Sequence, residues 1–277
     1  LIGAIGAACA EDTKPAFPVM APIEQYLEAS ASAEIEMARN AAPASISGDA
    51  SVLVLGNHGY ETAVKGKNGF VCLVWRSWVS WAPGSDDAEF WNPKFRVPIC
   101  FNAAGVRSVL PAYLERTKWA LAGTSKAEMK DRTRAEIASK RMAIPEPGAL
   151  GFMMGNQGSD ASGHHWSTPH VMMFLARTDG ADWGAGLHGS PIIAEQTDPE
   201  PITVFDIMVP FFSDGTPKTP KIMEAHRRRG APPPGRALEM VSTMSVPYLF
   251  EYAFLPVRRT GDVAGLAERL ELAGMFA

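Results

Sequence analysis

The chain has three cysteines in 277 residues. That scarcity rules out a disulfide-dense small scaffold, and no Cys pair stands at zinc-finger spacing. No uncharged stretch reaches the ~20 apolar residues that span a bilayer. The apolar stretch 241–257 is interrupted by Pro247, Glu251 and Pro256. Neither sign of charge dominates, with 26 Lys and Arg against 30 Asp and Glu and a net charge of −4. A protein that grips nucleic acid through phosphate contacts normally shows a basic excess, so that partner is not expected. The His-Glu-x-x-His, G-x-S-x-G and P-loop signatures are missing too. What remains is an ordinary globular composition, 46% hydrophobic and 20% charged.

What is present begins at the first residues. Leu1-Ile2-Gly3-Ala4-Ile5-Gly6-Ala7-Ala8-Cys9-Ala10 is apolar, and the chain then turns charged at Glu11-Asp12-Thr13-Lys14-Pro15. An apolar run, a small-x-small site at Ala8-Cys9-Ala10 and a polar start together read as the end of a secretory signal. The sequence therefore predicts a signal-peptide remnant over 1–10, a single domain over 11–217 and a peripheral, partly disordered extension over 218–277. It places the mature protein in the periplasm or outside the cell. A lipoprotein anchor on Cys9 is the other reading of that residue, with Gly6 standing where Leu is expected. Cys72 and Cys100 would remain after cleavage. In an oxidising compartment they form either a disulfide, contributing ~3–4 kcal/mol through loop closure, or a pair of buried thiols.

Hydrophobic periodicity predicts a helix over 23–42, stopped at Ala41-Ala42-Pro43. A β-meander follows over 51–55, 61–64 and 70–75, with Gly66-Lys67-Asn68-Gly69 as a hairpin turn. The aromatic, proline-broken segment 75–101 reads as a long irregular loop. Asn102 caps the next helix, Pro111 disturbs it and Gly123 ends it. Ser125 and Glu128 have capping-box spacing and open a basic, solvated helix to about residue 140. Strands are predicted over 149–154, 170–177 and 202–209. Strands in adjacent groups point to an α+β fold with an antiparallel sheet packed against the helices.

Two constellations carry candidate chemistry. His164, His165, His170 and His188 lie within twenty-five residues, and imidazoles suit zinc or copper. Adjacent His164 and His165 would supply one ligand between them, while strand alternation from His170 passes through Met172 and Phe174, as in a core. Satisfied structural histidines are therefore the competing reading. Asp160 and Asp182 are the acids that would orient an imidazole. The Met153-Met154 and Met172-Met173 pairs admit copper, but neighbours on a strand face opposite ways. Trp75, Trp78, Trp81 and Trp91 would stack on a flat ligand if exposed, or form a hydrophobic cluster if not. Asn57-His58-Gly59 ends a strand at a tight turn.

The run Gly59-Tyr60-Glu61-Thr62-Ala63-Val64-Lys65-Gly66-Lys67-Asn68-Gly69-Phe70-Val71-Cys72-Leu73-Val74 resembles a segment of an uncharacterised family of exported bacterial proteins. Phe90-Trp91-Asn92-Pro93-Lys94-Phe95-Arg96, Pro98-Ile99-Cys100-Phe101-Asn102 and Trp183-Gly184-Ala185 carry the same resemblance. It spans about residues 20–217, implies export and brings no activity or catalytic residue. The functional expectation is an exported small-molecule-binding or sensor-like domain. The alternatives are a metal-dependent hydrolase using the histidines and a structural or interaction module.

Overall fold

The computed structural model describes residues 17–79, 90–159, 168–196 and 198–218. The expected signal remnant, Asp160, Trp81, His164, His165 and all but the first residue of the expected extension lie outside the described residues. Local capping cuts the N-terminal segment into pieces. Helix α1 (Ala31–Arg39) starts at Ser30, whose backbone is extended and whose hydroxyl accepts the Ala33 N–H. The single helix expected over 23–42 is thereby divided. A 3-10 turn at Ile23–Gln25 precedes α1, and Pro43 opens the short α2 (Ala44–Ser47). Strands β1 (Ser51–Gly56) and β2 (Gly59–Val64) then pair antiparallel around Asn57-His58, with Gly59 at φ 115°.

The meander stops there. Strand β3 (Val71–Trp75) pairs with β1, not β2, and runs parallel to it. Asn68-Gly69 does turn the chain, with Gly69 at φ 79°, but Asn68 Nδ2 donates to the Ile46 carbonyl and its Oδ1 accepts from Phe70 N–H. These bonds lead the connection across the foot of β1. The Lys67 N–H donates to the Asp49 carbonyl there, and a Cβ on Gly66 would fall 2.2 Å from the Ser51 nitrogen. Only glycine permits so close a crossing.

The expected loop 75–101 also contains a strand, β4 (Val97–Phe101), antiparallel to β3. Pro98 fits because the Arg96 and Asn102 N–H groups both point to the β5 side, which assigns Pro98 the same side. The β4–β5 register covers only Cys100 and Phe101, so no ladder bond is asked of Pro98.

Asn102 caps α3 (Ala103–Ser108), its side chain accepting the Gly105 N–H. Pro111 sits in the first turn of a separate helix, α4 (Leu110–Leu121), where its missing N–H costs nothing. Gly123 follows at φ 74°, and Ser125 caps α5 (Lys126–Ala138) by accepting the Glu128 N–H. Strands β5 (Leu150–Met153), β6 (His170–Ala176), β7 (Ile192–Gln196) and β8 (Ile202–Met208) complete the set. Strand β7 was not expected. Among the described residues the eight strands form one mixed, mostly antiparallel sheet in the order β2-β1-β3-β4-β5-β6-β8-β7. The fold class is α+β.

Register divides the sheet into two faces. Leu73, Ile99, Met153, Met172, Phe174 and Val204 share one face and a core with Leu110, Tyr113 and Trp119. Val52, Cys72, Val74 and Cys100 share the other, packed against Ala38, Ala41 and Ala42. Cys72 and Cys100 are directly opposed across β3 and β4, with Cα atoms 4.0 Å apart, and are joined by a disulfide.

Candidate functional site

The aromatic cluster is interior. Trp75, Trp78 and Trp91 are at most 4% exposed. The Trp78 indole N–H donates to Thr117 Oγ1 at 3.1 Å, its ring meets Tyr26 edge-on at 4.7 Å, and Trp91 meets Phe90 the same way. Trp75 stands edge-on to Tyr113 at 5.1 Å. These rings seal the core under α4 and present no open face for a ligand to stack on. Trp81 lies outside the described residues. Among the described residues the exposed tryptophan is Trp183, at 47%.

The histidines described do not converge on an ion. His170 begins β6 and is 5% exposed, whereas His188 is exposed in the loop before β7. Among the described residues no group of three His, Cys, Asp or Glu side chains is placed to hold a metal. The methionine pairs split as strand alternation requires, with Met153 and Met172 buried on the α4 face and Met173 on the other. Asp182 is exposed, and Asn57-His58 forms the β1–β2 turn at the surface. Gly184-Ala185-Gly186-Leu187-His188-Gly189 has G-x-G-x-x-G spacing, but it joins a 3-10 turn to strand β7. The strand-to-helix setting that lets this spacing bind a dinucleotide is absent at that point.

What does converge is a group of polar side chains on the α4 face of β6, β8 and β7. Register places Asp206 opposite Met172 on one side and Ile193 on the other. Glu195, opposite Val204, is its diagonal neighbour on that face. A carboxyl therefore interrupts an otherwise apolar row of Ile202, Val204 and Met208. Its side chain is 13% exposed, and its Oδ1 is buried without a hydrogen-bond partner. Burial pushes the Asp206 carboxyl up to about 6. Burial first, and then the Asp206 charge, push Glu195 up to about 7.

His170 faces this carboxyl. Its Nδ1 lies 2.7 Å from the Thr168 carbonyl, which can only accept, so Nδ1 carries the proton of the neutral ring. Nε2 is then the basic nitrogen, 3.9 Å from Asp206 Oδ1. Burial holds the imidazole below its usual range, helped by the Lys218 charge and opposed by the Thr168 hydrogen bond. Tyr113 on α4 closes the group from above. It is 5% exposed, and its hydroxyl makes no hydrogen bond among the described residues. Burial raises its phenol strongly. Arg116 opposes that shift, while the Glu200 and Asp206 charges add to it. Arg116 and Glu200 form a buried ion pair at 2.8 Å, and the guanidinium stacks 5.1 Å from the Tyr113 ring.

The arrangement can accept hydrogen bonds at both carboxyls and donate one from Tyr113. Sequence reasoning did not single out Asp206, Glu195 or Tyr113. The available signal was Asp206 itself, a carboxylate at an apolar position of the alternating run 202–208. No protein-family model, curated protein or solved structure matches the chain, so the likeness to an exported family rests on its quoted residues alone.

Proposed function

We propose that the chain is an exported ligand-binding domain of sensor type, holding a small organic molecule where α4 meets β6, β8 and β7. The observation that carries this reading is the Asp206 carboxyl, placed in an apolar row with a buried oxygen that no group among the described residues satisfies. A buried polar atom without a partner costs roughly 1–3 kcal/mol. A ligand that donates a hydrogen bond would recover that energy on binding. The Tyr113 hydroxyl supplies a complementary donor, and Met172 and Ile193 supply apolar contact. Export is supported by the Cys72–Cys100 disulfide, since reduced compartments disfavour such bridges.

The test is a thermal-shift screen of the full chain against small amines, alcohols and carboxylic acids at pH 7.5. At least one donor-bearing compound should raise the melting temperature, and Asp206→Asn and Tyr113→Phe should each abolish that shift while the proteins stay folded. A panel without a hit, or hits indifferent to both substitutions, retires the site. Export has its own test: thiol blocking of intact cells before lysis should leave Cys72 and Cys100 unlabelled.

A further inference from the structure

Among the described residues strand β7 ends the sheet, and part of its outer edge is unpaired. The Met208 N–H donates to the Pro191 carbonyl, so residues 191, 193 and 195 turn their backbone groups toward β8, while 192, 194 and 196 turn theirs outward. Ile192 is already engaged: its carbonyl accepts the Gly186 N–H at 3.1 Å, and its N–H donates to Ser190 Oγ. The N–H and C=O groups of Ala194 and Gln196 have no partner among the described residues. An open cavity of about 320 Å³ lies against these two residues. Its other wall is Gly180, Ala181, Ala185 and Gly186, none with a side chain larger than methyl, and Gly180 packs against the Ala194 methyl. Nearby, Trp183, Leu187 and Ile193 are 47%, 58% and 48% exposed, Trp183 packing on Phe205 on one face of the sheet and Ile193 lying on the other.

We propose that this edge is a docking site for an extended, basic and apolar peptide segment of a partner protein, which joins the sheet through Ala194 and Gln196. The occupant follows from charge. Asp179 lines the cavity, and Asp182 is exposed in the same loop. Pairing of β7 with β7 of a second copy would set these acids against themselves, which disfavours that arrangement. A strand bearing Lys or Arg between apolar residues turns its charges to the face of Asp179 and Asp182 and its apolar side chains to the face of Ile193. Its main chain supplies the affinity common to strand addition. The inference does not use Asp206 or Tyr113, and Ile193 is the residue the two sites share.

The probe is a fluorescein-labelled heptapeptide, Val-Lys-Val-Lys-Val-Lys-Val, titrated with the full chain and read by fluorescence anisotropy. It should bind, and hydrogen exchange should slow at the Ala194 and Gln196 amides. A version N-methylated at alternate residues, unable to donate to the edge, should bind about tenfold more weakly. So should the version with Glu in place of Lys. Ala194→Pro removes an outward N–H without touching the β8 ladder and should cost about tenfold. Asp179→Asn keeps the oxygen that accepts the Ala181 N–H and should cost about threefold, with weaker salt dependence. Three outcomes overturn the proposal: no binding, binding unchanged by N-methylation of the peptide, or self-association of the chain that Ala194→Pro abolishes. The N-methyl arm decides even if Ala194→Pro fails to fold.

Discussion

At the β3 end of the sheet the fully buried Arg76 meets Glu34 at 3.1 Å. Its remaining nitrogens donate to the Tyr26 and Val74 carbonyls, and Glu34 also accepts the Leu55 N–H. Four strands away Asp206 is nearly as buried and has no such set, with one oxygen unsatisfied and a basic imidazole nitrogen 3.9 Å off. The first region is closed by a disulfide, a buried ion pair and interlocked aromatic rings. The second ends in an open strand edge and exposed apolar side chains. The same sheet thus separates a part whose deepest charge is fully paired from a part where a buried carboxyl oxygen lacks a hydrogen bond among the described residues, although the Trp75 indole nitrogen in the first part lacks one too. Structural and functional readings of a buried charge differ in that completeness, not in depth alone.

The sharpest way to break the closed end is to orphan its cation. Glu34→Ala leaves Arg76 buried without its carboxylate, and guanidinium denaturation should show a loss of about 3–5 kcal/mol. Opening the Cys72–Cys100 bridge by Cys72→Ser with Cys100→Ser should cost about 3–4 kcal/mol in the same assay, under the loop-closure account. Equal stability of the oxidised wild type and the double variant would remove the bridge from this comparison.

At the open end the effect is smaller and depends on pH. The Asp206 carboxyl titrates near 6 in the fold against 3.8 ordinarily, so the folded state binds more protons between those values. Its ionisation therefore lowers stability as pH rises through that window, by about 2–3 kcal/mol, and Asp206→Asn should flatten the decline. Glu195 acts in the same direction up to about pH 7. His170 acts oppositely. Its folded value lies below 6.5, so stability falls as pH drops below that value, and His170→Gln should flatten the acid side. Urea midpoints measured from pH 4 to 8 read both slopes. A flat wild-type profile with no change in either variant would show that the two ends do not differ electrostatically. The smallest effect belongs to the surface: Glu146→Gln breaks the exposed pair with Arg107 at 2.6 Å and should leave the denaturation midpoint unchanged.

Much of the local structure was legible. Asn102 and Ser125 cap helices because a short side-chain oxygen three residues before an amide is a local geometric fact. The Met172 and Phe174 alternation from His170 holds because strand period is a property of the backbone. The partner of β3 was not legible. The Asn68-Gly69 turn is present, yet side-chain bonds to Ile46 and backbone bonds to Asp49 carry the chain past β1, a choice made by residues far from the turn. Strand β4 was obscured by Pro98, which is tolerated only because its side of the ladder is interrupted. The tryptophans were legible as a cluster, but their burial depends on α4 arriving over them.

The sequence by itself determined the helix caps and the alternating faces of β6 and β8. Each rests on spacing within a few residues, where backbone geometry leaves little freedom. Tertiary structure alone decided that β1 and β3 run parallel, that Trp78 is a core residue and that Asp206 lies unsatisfied beside His170 and Tyr113. Those outcomes depend on which distant surfaces meet, and the free energy of burying a group is set by all of its neighbours at once.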